Sequence, residues 1–133
     1  MSKTKKVLVF LAIILVIAVA GFSISLKAIE KNLNELANTR IVDVDISKSI
    51  DGVYTGSYEQ FPVSAEVKVT IENQKITEIE LIKHVTGKGA AAEAITGKVI
   101  ETQSLDVDSI SGATYSSKVI LKAIQNALEK SNQ

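Results

Sequence analysis

The chain has no cysteine. That absence excludes disulfides, thiolate metal sites, a cofactor linked through cysteine and a lipid-modified cysteine anchor. The fold is therefore held by packing alone, whichever compartment it occupies. Histidine is nearly absent too, with His84 alone among 133 residues. A histidine-based metal site or a Ser–His–Asp triad would have to centre on that one side chain. Positive charge is not in excess either, since 15 Lys and Arg face 15 Asp and Glu. Lys3, Lys5 and Lys6 lie at the extreme N-terminus, so 12 basic residues face all 15 acidic ones in the remainder, a formal charge of −3. A mildly acidic body has no basic footprint for nucleic acid. No internal repeat, low-complexity tract or nicotinamide-binding pattern is visible. Gly87-Lys88-Gly89 lacks the Gly-x-x-x-x-Gly-Lys-Ser/Thr frame of a phosphate loop and reads as a helix-entry loop.

What is present begins with an uncharged apolar run over residues 7–26. About 20 helical residues at ~1.5 Å rise cover the ~30 Å hydrocarbon core of a bilayer. Three lysines precede the run and only Lys27 lies just after it. The positive-inside rule then puts the N-terminus in the cytoplasm and the rest of the chain outside, as a single-pass protein of the cell membrane. A cleaved signal peptide is the competing reading, because Ala18-Val19-Ala20 has a small-x-small form. The continuation of the apolar run to Leu26 favours the retained anchor, and both readings export the domain.

After the run, Leu26, Ile29, Leu33 and Leu36 recur at helical spacing among polar residues, which predicts a helical stalk ending near Asn38. Val42, Val44 and Ile46 alternate with Asp43, Asp45 and Ser47, a short strand or extended linker whose carboxylates form a solvated face. Asp51-Gly52 marks a turn, and the compact domain is expected over 51–133, with 27–50 as stalk and linker. A first strand is expected over 53–58, and residues 63–72 alternate strictly between apolar and polar, the clearest strand in the chain. Asn73-Gln74 fits a tight hairpin turn into a partner strand over 75–84. There Ile76 and Ile82 fall out of phase with Ile79 and Leu81, as a bulge or cover on both faces would explain. A helix is expected from near Ala90, interrupted at Thr96-Gly97, then a short extended piece over 105–110. A final helix over 114–130 carries Ile120, Ala123, Ile124, Ala127 and Leu128 on one face. Together these predict an α+β fold: a small antiparallel sheet with helices packed on it, preceded by a transmembrane helix and helical stalk.

Candidate chemistry concentrates in Asp108-Ser109-Ile110-Ser111-Gly112-Ala113-Thr114, which leads into the final helix. Gly112 permits a tight turn, and a helix start offers unpaired N–H groups and a positive dipole end to an anion. Ser, Gly and Thr before a helix are also what an ordinary N-cap looks like. Tyr54, Tyr58, Phe61 and Tyr115 read as core or rim aromatics, any of which could stack on a ring.

The same seven residues match the pattern Asp-x-x-Ser/Thr-Gly-Ala-Thr/Ser, and here the chain resembles the FMN-binding domain family. It is similar to the flavin-bearing C subunit of sodium-pumping NADH:quinone oxidoreductase, to the G subunit of the Rnf complex, and to small exported electron-transfer domains. The likeness extends through Asp51 to Gly56, Lys75 to Ile79, His84 with Gly87-Lys88-Gly89, and Ser109 to Leu128. In that family a Mg²⁺-dependent flavin transferase uses FAD to join FMN, through its phosphate, to the last hydroxyl of the motif. The resemblance implies attachment at Thr114, a loop shaped by Ser111, Gly112 and Ala113, and Asp108 as part of the recognition pattern. His84 reads as a plain surface or loop histidine or as a flavin neighbour, Tyr115 is a candidate neighbour by its adjacency to Thr114, and no metal site or catalytic residue is expected. The chain would then be an electron-carrying domain rather than an enzyme, with a quinone-linked membrane donor and an extracellular acceptor or reductase as partners. The chain is much shorter than the pump subunits, and nothing about sodium transport carries over. The rival expectation is an exported interaction module in which residues 111–114 only cap the helix.

Overall fold

The structure is a computed structural model that describes residues 2–85 and 90–133. Two compact units divide it, Met1–Lys31 and Asn32–Gln133.

The first unit is helical. It belongs to α1 (Lys3–Ala37), a helix long and apolar enough to cross a membrane by length and composition. Its best window has a mean hydropathy of 3.1, and none of that window is buried against protein. An exposed apolar stretch of this length near the N-terminus is consistent with a single-pass membrane anchor and equally with a signal sequence. Ser23 and Ser25 donate their hydroxyls to the carbonyls of Val19 and Gly21, each at 3.0 Å.

The second unit is an α+β domain. Three antiparallel strands, β1 (Gly52–Gln60), β2 (Val63–Glu72) and β3 (Lys75–Val85), lie in the order β1-β2-β3. β2 buries Val63, Ala65, Val67, Val69 and Ile71 on one face, as its strict alternation predicts. The Asn73-Gln74 turn takes positive φ at both residues (52° and 60°), the geometry that suits the right-handed twist of the strands it joins. The Asp51 carboxylate accepts the N–H groups of Asn73 (3.0 Å) and Gln74 (3.3 Å), pinning that turn to the start of β1. The broken phase of β3 is resolved by two register shifts, opposite Glu66/Val67 and Thr70/Ile71. They turn Ile76, Ile79 and Leu81 to the covered face and leave Ile82 exposed.

α3 (Thr114–Ser131) covers β1 and β2 with its apolar stripe, which includes Val119, Ile120, Ala123, Ile124, Ala127 and Leu128. α2 (Ile95–Thr102) and the 3-10 turn Ala90–Ala94 before it pack beside α3. Thr96-Gly97 does not interrupt α2, contrary to expectation: a Cβ at Gly97 would meet open space, and Thr96 bonds back to the Glu93 carbonyl at 3.0 Å. Residues 105–110 do not form an extended strand either. Their amides are taken locally and by side chains, Leu105 by Asp43 (3.0 Å), Asp106 by Ser104 (3.0 Å) and Ile110 by Ser117 (3.0 Å). The Asp43 carboxylate also accepts the Ser104 hydroxyl at 2.6 Å, so it is a tie between distant segments rather than a solvated face.

Side chains close both sheet edges. The Thr55 and Ser57 carbonyls on β1 accept from Lys130 Nζ (2.6 Å) and Asn126 Nδ2 (2.8 Å). On β3 the Gln103 amide mimics a strand, accepting the Ile76 N–H at 2.7 Å and donating to the Ile76 carbonyl at 2.8 Å. The β1 contacts also orient the site. Lys130 meets Thr55 and Asn126 meets Ser57, so α3 runs antiparallel to β1. Its start therefore lies at the end of the sheet where β1 finishes, β2 begins and β3 ends.

Candidate functional site

At that end the chain makes a tight turn before α3. The Ala113 N–H donates to the Ile110 carbonyl at 2.9 Å, with Gly112 between them at φ +76°. That is the left-handed region, where a side chain is strained even though a Cβ on Gly112 would meet nothing within 4 Å. Ala113 is the N-cap, in a non-helical conformation (φ −135°, ψ 42°), and no side chain caps the helix. The N-cap position thus falls on Ala113, and the hydroxyls of Ser111 and Thr114 make no capping hydrogen bond among the described residues. Thr114 is the first helical residue. Its side chain is exposed and makes no hydrogen bond among the described residues.

Three features of this helix start suit an anion: the Thr114 hydroxyl reaches solvent, no side chain makes a capping hydrogen bond, and no acidic residue occupies the first turn of α3. Ser111, Gly112 and Asp108 are exposed around the turn, whereas Ala113 is buried and anchors it. Tyr115 follows Thr114 and is 38 % exposed, with no hydrogen bond among the described residues.

His84 comes to the same end of the sheet, opposite Ala65. It is not a surface histidine, for its side chain is 2 % exposed. Nδ1 lies 3.4 Å from Glu93 Oε1, and Nε2 is buried with no hydrogen-bond partner among the described residues. Gly87-Lys88-Gly89 lies outside the described residues. Of the other aromatics, Tyr54 and Tyr58 pack against the core and Phe61 is exposed at the β1–β2 hairpin.

Sequence reasoning overlooked Ser117 as part of this site. It is fully buried, and its hydroxyl both donates to the Ala113 carbonyl (2.7 Å) and accepts the Ile110 N–H (3.0 Å). The available signal was a serine one turn ahead of Ile120 and Leu121, on a helix face that is otherwise apolar.

A family model described as FMN-binding domain matches residues 62–129, more than half of the chain. The chain belongs to the FMN-binding domain family, and FMN is its cofactor. An uncharacterized protein of Treponema pallidum (strain Nichols) is 30 % identical over 83 residues, 60 % of this chain and 23 % of that protein. The chain thus spans less than a quarter of the length of the curated relative it matches.

Proposed function

We propose that this chain is a membrane-anchored, extracytoplasmic electron carrier whose FMN is joined through its phosphate to the Thr114 hydroxyl. The observation that carries the reading is the exposed, unbonded Thr114 side chain at the first position of an uncapped helix. Bound flavin supplies one- and two-electron redox chemistry. The protein's part is to hold and present it. Thr114 Oγ1 forms the ester, and the start of α3 contributes about 0.3–1 kcal/mol of dipole attraction plus hydrogen bonds to the phosphate. Tyr115 and His84 flank the ring, Ser111, Gly112 and Ala113 shape the loop presented to the transferase, and Asp108 is part of the pattern it recognises. A covalent tether keeps the cofactor at high effective concentration where free FMN would diffuse away. The chain is then a substrate of a Mg²⁺-dependent flavin transferase rather than an enzyme. FAD donates FMN and AMP leaves. Electrons arrive from a quinone-linked membrane donor and pass to an extracellular acceptor or reductase.

Intact-mass measurement of the natively expressed protein tests this reading. The expected gain is one FMN less one water, on the peptide containing Thr114, with a fluorescent band in a denaturing gel. An unmodified mass in a host that holds the transferase would overturn it.

The recognition loop gives a second expectation. Gly112→Val forces a β-branched residue to φ +76°, and Asp108→Ala removes an exposed carboxylate that makes no hydrogen bond among the described residues. Both variants should stay folded and load substantially less flavin. Loading of both to the wild-type level would remove the recognition role.

Topology is tested separately. The charge bias of Lys3, Lys5 and Lys6 predicts an N-terminus in the cytoplasm and a domain outside. Protease added to intact, wall-stripped cells should digest the domain, and alkaline carbonate should leave untreated protein in the membrane fraction. Sequencing that starts at Gly21 would show a cleaved leader, and protection until lysis would place the domain inside.

A further inference from the structure

The acceptor turn is held by a side chain outside the seven-residue motif. Ser117 is fully buried on the apolar face of α3, and its one hydroxyl bonds to both sides of the turn. It accepts the N–H of Ile110, the residue before Ser111, and donates to the carbonyl of Ala113, the residue after Gly112. Between those points Ser111 and Gly112 are exposed and make no hydrogen bond of their own among the described residues. Apart from the Ala113-to-Ile110 bond, Ser117 is what fixes their shape. A serine that bonds back to the carbonyl four residues earlier is common in helices, but accepting an N–H from the preceding loop at the same time is a different task. Thr114 follows directly, so the direction of its Oγ1 depends on this clamp.

The geometry points to Ser117 as a positioning residue for flavin transfer, holding residues 110–113 in the shape in which Thr114 meets the transferase. This inference rests on the acceptor role of Thr114. In the transfer the phosphoanhydride bond between the FMN and AMP halves of FAD breaks and the Thr114 Oγ1–P bond forms. AMP leaves, the hydroxyl proton passes to a base on the transferase, and nothing is oxidised or reduced. Ser117 touches none of the reacting atoms. Its effect is on the fraction of molecules whose turn is already in the productive shape. A binding step that needs one member of an equilibrium weakens in inverse proportion to that member's population, whereas the chemical step after docking is untouched.

The test uses the full chain in detergent with purified transferase, FAD and Mg²⁺, following intact mass over time at varied chain concentration. Ser117→Ala should raise KM for the chain by roughly five- to tenfold, the population change that losing the bond to the Ile110 N–H brings while the Ala113 carbonyl keeps its helical partner, with kcat kept. Ser117→Cys is close in size but a much weaker donor and acceptor. It should raise KM in the same sense and serves if the alanine variant does not fold. Ser131→Ala is the matched control: Ser131 is equally buried at the other end of α3, bonded to the Leu128 carbonyl at 2.6 Å and Ser49 Oγ at 2.8 Å. It should lower the melting temperature as Ser117→Ala does and leave KM unchanged. A wild-type KM in the Ser117 variants, or an equal rise in Ser131→Ala, would overturn the positioning role while Thr114 still loads. Failure of the wild-type chain to load would instead overturn the acceptor reading, and the role of Ser117 with it.

Discussion

Thr114→Ala is expected to abolish flavin loading completely. Among the described residues no other serine or threonine hydroxyl combines the position and the exposure: Ser116 and Ser117 are buried, and Ser111 lies in the turn rather than at the helix start. Thr114→Ser should keep a substantial part of the loading, because the transfer needs only a hydroxyl at that place. The alanine variant should fold normally. Thr114 is exposed and makes no hydrogen bond among the described residues, and substitutions of that kind stay within about 0.5 kcal/mol. Peptide mapping alongside intact mass reads the result. An alanine variant that still gains the mass of FMN less water would move the attachment elsewhere.

Gly56→Ala should damage the fold more than any loop substitution. β1 approaches α3 so closely at Gly56 that an ideal Cβ would stand 2.1 Å from the Ala123 carbonyl oxygen. It would stand 2.4 Å from the Ala127 nitrogen and 2.8 Å from the Ala127 Cβ. Two of these three atoms are backbone, so no rotamer change relieves the clash, and the helix must lift off the strand. Lifting it also pulls Asn126 and Lys130 away from the β1 carbonyls they cap. Overpacking costs typically ~1–3 kcal/mol where side chains can yield, and here the cost lies at or above the top of that range. For a domain with only ~5–15 kcal/mol to lose, this lowers the melting temperature by roughly 10–20 °C, and Gly56→Val should not fold. Thermal melting followed by circular dichroism measures it. Gly97→Ala is the internal contrast, since its Cβ enters open space on an exposed helical position and should stabilise by up to ~1 kcal/mol. A Gly56→Ala melt within about two degrees of wild type would show that α3 shifts at little cost.

Much of this was legible in the residues. The strict alternation over 63–72, the Asn73-Gln74 turn and the stripe of α3 each carry their own period or turn chemistry, and each reappears in the structure. The out-of-phase Ile76 and Ile82 announced a bulge, but not that there are two. The family motif was legible as a pattern of residue types. That the N-cap position falls on Ala113 and not on a hydroxyl was not, because serine and threonine at a helix start predict a cap wherever they stand.

The residues by themselves determined the apolar helix, the hairpin, the amphipathic final helix and the family motif. Each is a local pattern, written within a few turns or a few strand residues by the periods of 3.6 and 2. Only the tertiary structure decided what joins distant segments. Asp43 reaches Ser104 and Leu105, Gln103 reaches Ile76, Asn126 reaches Ser57, Leu36 and Ile46 enter the core, and His84 is buried although it reads as a loop histidine. None of these partners shares a period with the other, so no window on the chain contains the pair. Each pairing exists because an unpaired donor or acceptor at an edge, an end or a buried face must find a partner once the chain is packed. The turn before Thr114 combines both kinds of information: its residue types are local, and its exposed position at the end of the sheet depends on how α3 lies along β1.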